Sequence, residues 1–148
     1  MNKQLDPAVR QVLDRAKGLI ADGDVSAALQ LYTAAFDDLV ATSDHFSASN
    51  VAHMAGVAEP EPSLKHEWNE RALHEADAVV DRDSVSAFYP SLHNNLGYSH
   101  SMLGNERAAR YHVREAWRHV DALEPGPYAD RVKATIRRRL AELGDEPK

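Results

Sequence analysis

Asn95-Leu96-Gly97-Tyr98-Ser99-His100-Ser101-Met102-Leu103-Gly104-Asn105-Glu106-Arg107-Ala108-Ala109 is the stretch on which the fold turns. Pro90 suits the start of a helix that carries Leu92, Leu96 and Leu103 on one side. Gly104 provides a stop that accepts a left-handed backbone, and Asn105 can cap a new helix with Ala109, Val113, Ala116 and Val120 facing inward. The segment reads as two helices folded about a tight turn, one from Pro90 to Leu103 and the other ending near Leu123.

The same grammar extends in both directions. Asp6 and Pro7 mark the start of a helix running to about Ala21, and Asp22-Gly23-Asp24 stops it and caps the next. Val25, Leu29, Tyr32 and Phe36 recur at helical spacing, which predicts a second helix to about Ala41. Ser43 and Asp44 open a third, which Glu59-Pro60-Glu61-Pro62 ends near Ala58. Ser63 is the expected cap of a fourth, whose stripe of Leu64, Trp68, Ala72, Ala76 and Val80 carries it to about Val80. Asp81 to Tyr89 reads as a loop. After Pro125-Gly126-Pro127, a last helix from Tyr128 to Leu143 is expected to bury Tyr128, Val132, Ile136, Leu140 and Leu143. No alternating β-branched run of strand length occurs, so the fold class is all-α.

Composition narrows function. The chain has 148 residues, 43% hydrophobic and 27% charged, which suits one folded domain spanning 1–148. A net charge of -6 disfavours nucleic acid as a partner, because that affinity grows with the number of phosphates met by cations. Without cysteine there is no disulfide, thiolate-held zinc or thiol nucleophile. The first residues lack the apolar run of a signal peptide, and no run approaches the roughly eighteen apolar residues of a membrane span. A cytoplasmic protein with no membrane partner is expected.

Helices paired about tight turns invite a search for an internal period. Asn95-Leu96-Gly97-Tyr98, Leu103-Gly104-Asn105 and Ala108-Ala109, followed by Ala116, resemble the core motif of the tetratricopeptide repeat. Gly23, Asp24, Ala28, Tyr32 and Ala35 resemble a second copy, with Ala16 where the family's first-helix glycine falls. The middle copy departs: Pro60 falls at the turn glycine and Lys65 at the first small residue, though Ala72 aligns with Ala35 and Ala116. Those alanines are separated by 37 and 44 residues, so this unit is longer than the usual one of about 34. The resemblance implies three antiparallel hairpins, at about 7–41, 45–80 and 90–123, and a capping helix at about 127–143; an unrelated helical bundle is the alternative. It further implies a protein or peptide partner held on a concave face lined by the first helix of each pair. Carried onto this chain, that face nominates Arg10, Leu13 and Lys17, then Asn50 and Met54, then Asn94 and Tyr98. Asn94 and Tyr98 also lie opposite Leu92, Leu96 and Leu103 on a helical wheel.

The eight histidines are the residues to weigh for metal or acid–base chemistry. His93 and His100 take packing positions of the repeat. His66, Glu70 and His74 sit opposite Leu64, Trp68 and Ala72 and are expected to face solvent, without a cavity to shape a metal site. His112 and His119 share a face crowded with Arg110, Arg114, Glu115 and Arg118 and read as solvated surface. The run Arg137-Arg138-Arg139 complements the helix dipole near its end. No nucleophile elbow, phosphate loop or dinucleotide fingerprint is present. No catalytic residue, metal or cofactor is assigned. The expected function is a partner-binding module, with a self-associating scaffold using Trp68 or an open end as the alternative, and a histidine-dependent metal protein or enzyme ranked third.

Overall fold

A computed structural model describes residues 4–147, and among them every regular element is a helix, as expected for an all-α fold. In order these are α1 (Pro7–Ala21), α2 (Val25–Ala41), α3 (His45–Ala58), α4 (Pro62–Ala78), α5 (Arg82–Val85), a 3₁₀ turn (Ser86–Phe88), α6 (Tyr89–Met102), α7 (Glu106–Arg118), a second 3₁₀ turn (Val120–Ala122) and α8 (Pro127–Glu142). The chain falls into two compact units, one ending at Val80 and the other starting at Asp81. No helix among the described residues is long and apolar enough to cross a membrane.

The helix ends follow from local chemistry. Asp6 Oδ1 accepts from the Ala8 N–H at 2.9 Å, Asp24 from Ala27 at 3.1 Å, Asp44 from Ser47 at 3.2 Å and Asn105 from Ala108 at 3.3 Å, each satisfying an orphan donor of the first turn. One turn recurs at the ends of α1, α2 and α6. Asp24 N–H reaches Leu19 O, Asp44 N–H reaches Leu39 O and Asn105 N–H reaches His100 O, at 2.8, 2.9 and 2.9 Å. The residue before each cap is left-handed: Gly23 at φ 84, Gly104 at φ 79 and, with no glycine, Ser43 at φ 59. The cap of α4 is Glu61 and not Ser63. Glu61 accepts from the Ser63 and Leu64 N–H groups, and Pro62 takes the first helical position, which needs no donor.

In the first unit α2 packs on α1, α3 on α2 and α4 on α3. Its core holds Ala16, Ala28, Tyr32, Val51, Ala52, Ala55, Trp68, Ala72 and Ala76. Small residues let α3 and α4 approach closely: a Cβ on Gly56 would lie 2.5 Å from Asn69 Oδ1, and the Ser49 hydroxyl donates to Ala72 O at 2.7 Å. Lys65, the departure from the repeat pattern, donates from Nζ to Gly56 O at 2.7 Å and so serves the carbonyl end of α3. The expected stripe of α4 holds only at Trp68, Ala72 and Ala76. Leu64, in the first turn, is 46% exposed, and Val80 is 95% exposed because the helix stops at Ala78 and Val79 turns extended.

In the second unit α7 packs on α6, and α8 on both. Gly97 sits at a close helix approach and Leu96 in the core: a Cβ on Gly97 would meet Val113 Cγ2 at 2.3 Å, and Leu96 is buried. A core of Val113, Ala116, Val120, Leu123, Ala129, Ile136 and Leu140 joins α7 to α8. Three expectations are corrected here. Residues 82–88 are helical rather than loop, because a single turn of α-helix and one of 3₁₀ leave too few residues for a periodic stripe. Leu103 is exposed because it is the C-cap of α6. Tyr128 is exposed too, since Ala129 continues the inward stripe of Ile136 and Leu140.

Candidate functional site

Five of the seven nominated residues lie in the first unit. Arg10 and Lys17 are exposed on α1, with Leu13 between them half-buried. On α3 eight residues are buried, from Phe46 through Gly56. The rest of that side is a stripe of half-buried Asn50, His53 and Met54 and exposed Val57, at spacings of three, one and three residues that keep all four on one face. Asn50 Nδ2 donates to Phe46 O at 2.8 Å, which fixes the amide and leaves Oδ1 as an acceptor. Burial holds the His53 imidazole well below its ordinary range, at about 4, so it is neutral at physiological pH. Helices α1 and α3 touch, so the cations of one and the mixed stripe of the other belong to one packed pair.

The remaining two residues, in the second unit, are not an open pair. Asn94 is 7% exposed, with its Oδ1 buried and unpartnered. Tyr98 is 40% exposed, with the Arg139 guanidinium 4.3 Å from its ring centroid. Helix α8 packs against α6 beside both residues: Arg139 covers Tyr98, and Ser91 and Tyr128 form a hydroxyl pair at 3.1 Å. Asn94 is therefore withdrawn from the candidate face. Desolvation lowers the pKa of Arg139, whose Nε is buried without a partner.

The histidines divide as well. In the first unit His66 Nε2 lies 2.9 Å from Glu70 Oε1, and the His66 side chain is only 14% exposed, which corrects its expected solvent position; His74 is exposed. His45 Nδ1 lies 2.6 Å from the buried Glu75 Oε2, giving that carboxylate a donor. In the second unit His112 and His119 are not solvated surface. They join His93, His100 and Tyr89 in a stack: ring centroids are 5.3 Å apart for His93–His112 and His100–His112, 5.8 Å for His93–His119 and 5.2 Å for Tyr89–His119. Nδ1 of His93 lies 3.1 Å from Nδ1 of His112, so one ring donates and the other accepts, and the contact cannot hold a proton on both atoms. Arg82 covers the outer end, over the Tyr89 ring at 5.3 Å. The signal available in the sequence was the paired seven-residue spacing, which aligns His93 and His100 on α6 and His112 and its C-cap His119 on α7.

Comparison with protein-family models, with curated proteins and with solved structures finds no match to this chain.

Proposed function

We propose that this protein is a binding module, of the tetratricopeptide-like kind, that grips a peptide or helical segment of a partner protein in the cytoplasm and catalyses nothing itself. The observation that carries the reading is the partly exposed stripe of α3, half-buried Asn50, His53 and Met54 with exposed Val57, on a helix otherwise sealed by its neighbours. The stripe combines apolar area with a fixed amide acceptor, and Arg10, Leu13 and Lys17 of the adjoining α1 add cations and further apolar surface. An extended or helical peptide needs that mixture: side-chain area for affinity and a few placed polar groups for register. The fold-level analogy rests on the recurring turn and on the close approaches at Gly56 and Gly97.

The test is selection of a displayed random-peptide library on the purified protein, followed by calorimetry of the enriched peptide against Lys17→Ala/Met54→Ala. The double variant is expected to weaken binding by about 1 to 4 kcal/mol while remaining folded. Failure to enrich any peptide, or an unchanged affinity, counts against the module. Self-association is the second reading, favoured by the exposed Leu64 and Val80, and light scattering across a concentration series decides it.

A further inference from the structure

We infer that the cleft between α7 and the end of α8 binds an acidic peptide segment of a partner, and that the chain's own residues 144–147 occupy it as a competing self-ligand. The cleft lies in the second unit, on different residues from the α1–α3 face, so the inference stands apart from the preceding one.

Helix α7 presents Arg107, Arg110, Arg114 and Arg118 at spacings of three and four, a row about 16 Å long on one face. Trp117 lies beside it, with the Arg137 guanidinium of α8 4.9 Å from the indole centroid. Past α8 the chain turns through Gly144, at φ 71, and Asp145 N–H closes on Leu140 O at 2.8 Å. That turn lays the following residues against the arginine row. Arg110 donates to Leu143 O at 2.7 Å, and Arg114 pairs with the Asp145 carboxylate, whose side chain is 8% exposed. Glu146 and Pro147 then wall a cavity of about 270 Å³ together with Arg114, Trp117, Arg118 and Leu140.

Charge complementarity says what the cleft prefers. Arg114 pairs with the Asp145 carboxylate, Arg118 with Glu115, and Arg137 lies over the Trp117 indole, while Glu146 lines the same cavity as Arg114 and Arg118. With the segment displaced, Arg114 loses its Asp145 partner. A partner segment rich in Asp and Glu restores the balance, and guanidinium groups reward carboxylates with paired, directional hydrogen bonds. Cavity space and the 70% exposed Arg118 side chain leave an entry that the self-segment does not fill. Because the self-segment is tethered by a short turn, its effective concentration is in the millimolar range, and a partner must outcompete it.

The probe is a fluorescein-labelled hexapeptide of alternating aspartate and glutamate, titrated by anisotropy into the full chain at low salt. Asp145→Asn/Glu146→Gln is expected to bind it at least about 5-fold tighter than the unaltered chain, because the competitor has lost its charge. Arg118→Glu/Arg137→Glu, at two exposed positions, is expected to lose about 10-fold or more, and the Trp117 indole N–H resonance is expected to move on titration. Equal affinity with and without the Asp145 and Glu146 charges overturns the self-ligand. Unchanged binding in the arginine variant, or a still Trp117 signal, overturns the site, as does equal binding of a single-stranded RNA of the same charge. Should the neutralised segment unfold the chain, the arginine variant and the Trp117 resonance decide the matter.

Discussion

Replacing Gly97 by alanine puts a methyl where α6 crosses α7, and the structure sets the cost. The added Cβ would stand 2.3 Å from Val113 Cγ2 and 3.2 Å from Ala109 O, against a carbon–carbon optimum of about 3.5–4.0 Å. Neither neighbour yields easily: Val113 is fully buried and stiff at χ1 within a helix, and Ala109 O is backbone. The helices must part or a rotamer must strain, which costs roughly 1–3 kcal/mol, more when backbone moves. With backbone among the neighbours the cost lies in the upper part of that range, about 2–3 kcal/mol, and alanine returns up to about 1 kcal/mol of helix propensity, so the net loss expected is about 1–2 kcal/mol or greater. Gly18→Ala is the control. Nothing lies within 4 Å of its Cβ, so propensity acts alone and a gain of about 0.5–1 kcal/mol is expected. Urea titration measures both, with Trp68 reporting on the first unit and Trp117 on the second. Val113→Ala placed on Gly97→Ala should cost at least about 1 kcal/mol less than the two separate losses combined, since the new methyl enters the vacated space. A Gly97→Ala chain as stable as the parent, or strict additivity in that cycle, refutes the close-packing argument.

Ser43→Gly should stabilise the chain by up to about 1 kcal/mol in the same titration, because Ser43 holds the left-handed position at φ 59 that glycine occupies in the equivalent turns. His53 should make stability pH-dependent. Its folded pKa of about 4 lies below the ordinary 6.5, so its contribution is complete above pH 6.5 and is lost as pH falls toward 4. The loss is roughly 1–3 kcal/mol, discounted for the part of the ring still open, and it is read as the difference between the parent and His53→Gln melts across that window. Leu96→Ala should cost about 2–5 kcal/mol through the cavity left in the α6–α7 contact, measured by thermal unfolding followed by circular dichroism.

Caps, turns and inward stripes were legible in the sequence because their hydrogen bonds span only a few residues. Asp6, Asp24, Asp44 and Asn105 each serve an N–H two or three positions on, and Gly23 and Gly104 occupy the turns that their spacing marked. Leu96, Gly97, Ala109 and Ala116 were likewise readable as contact positions, since a helix that must approach another closely needs small side chains at helical spacing. These local rules determined the all-α class and most helix boundaries. They failed at Glu61, where proline chemistry moved the cap by two residues, and at residues 82–88, which are too short to show a period.

Which surfaces stay open was decided only by tertiary structure. Asn94 looked exposed on its own helix, yet it is buried, and α8 returns from more than thirty residues away to contact Ser91 and Tyr98 on either side of it. His112 and His119 looked solvated among arginines until α6 placed His93 and His100 against them. Residues 144–147 gave no sign of seating on the α7 arginines, because that contact depends on where α8 ends in space. Periodicity tells each helix which side is apolar, but a polar side is buried or left free by whichever distant element lands on it, and no spacing within one helix encodes that choice.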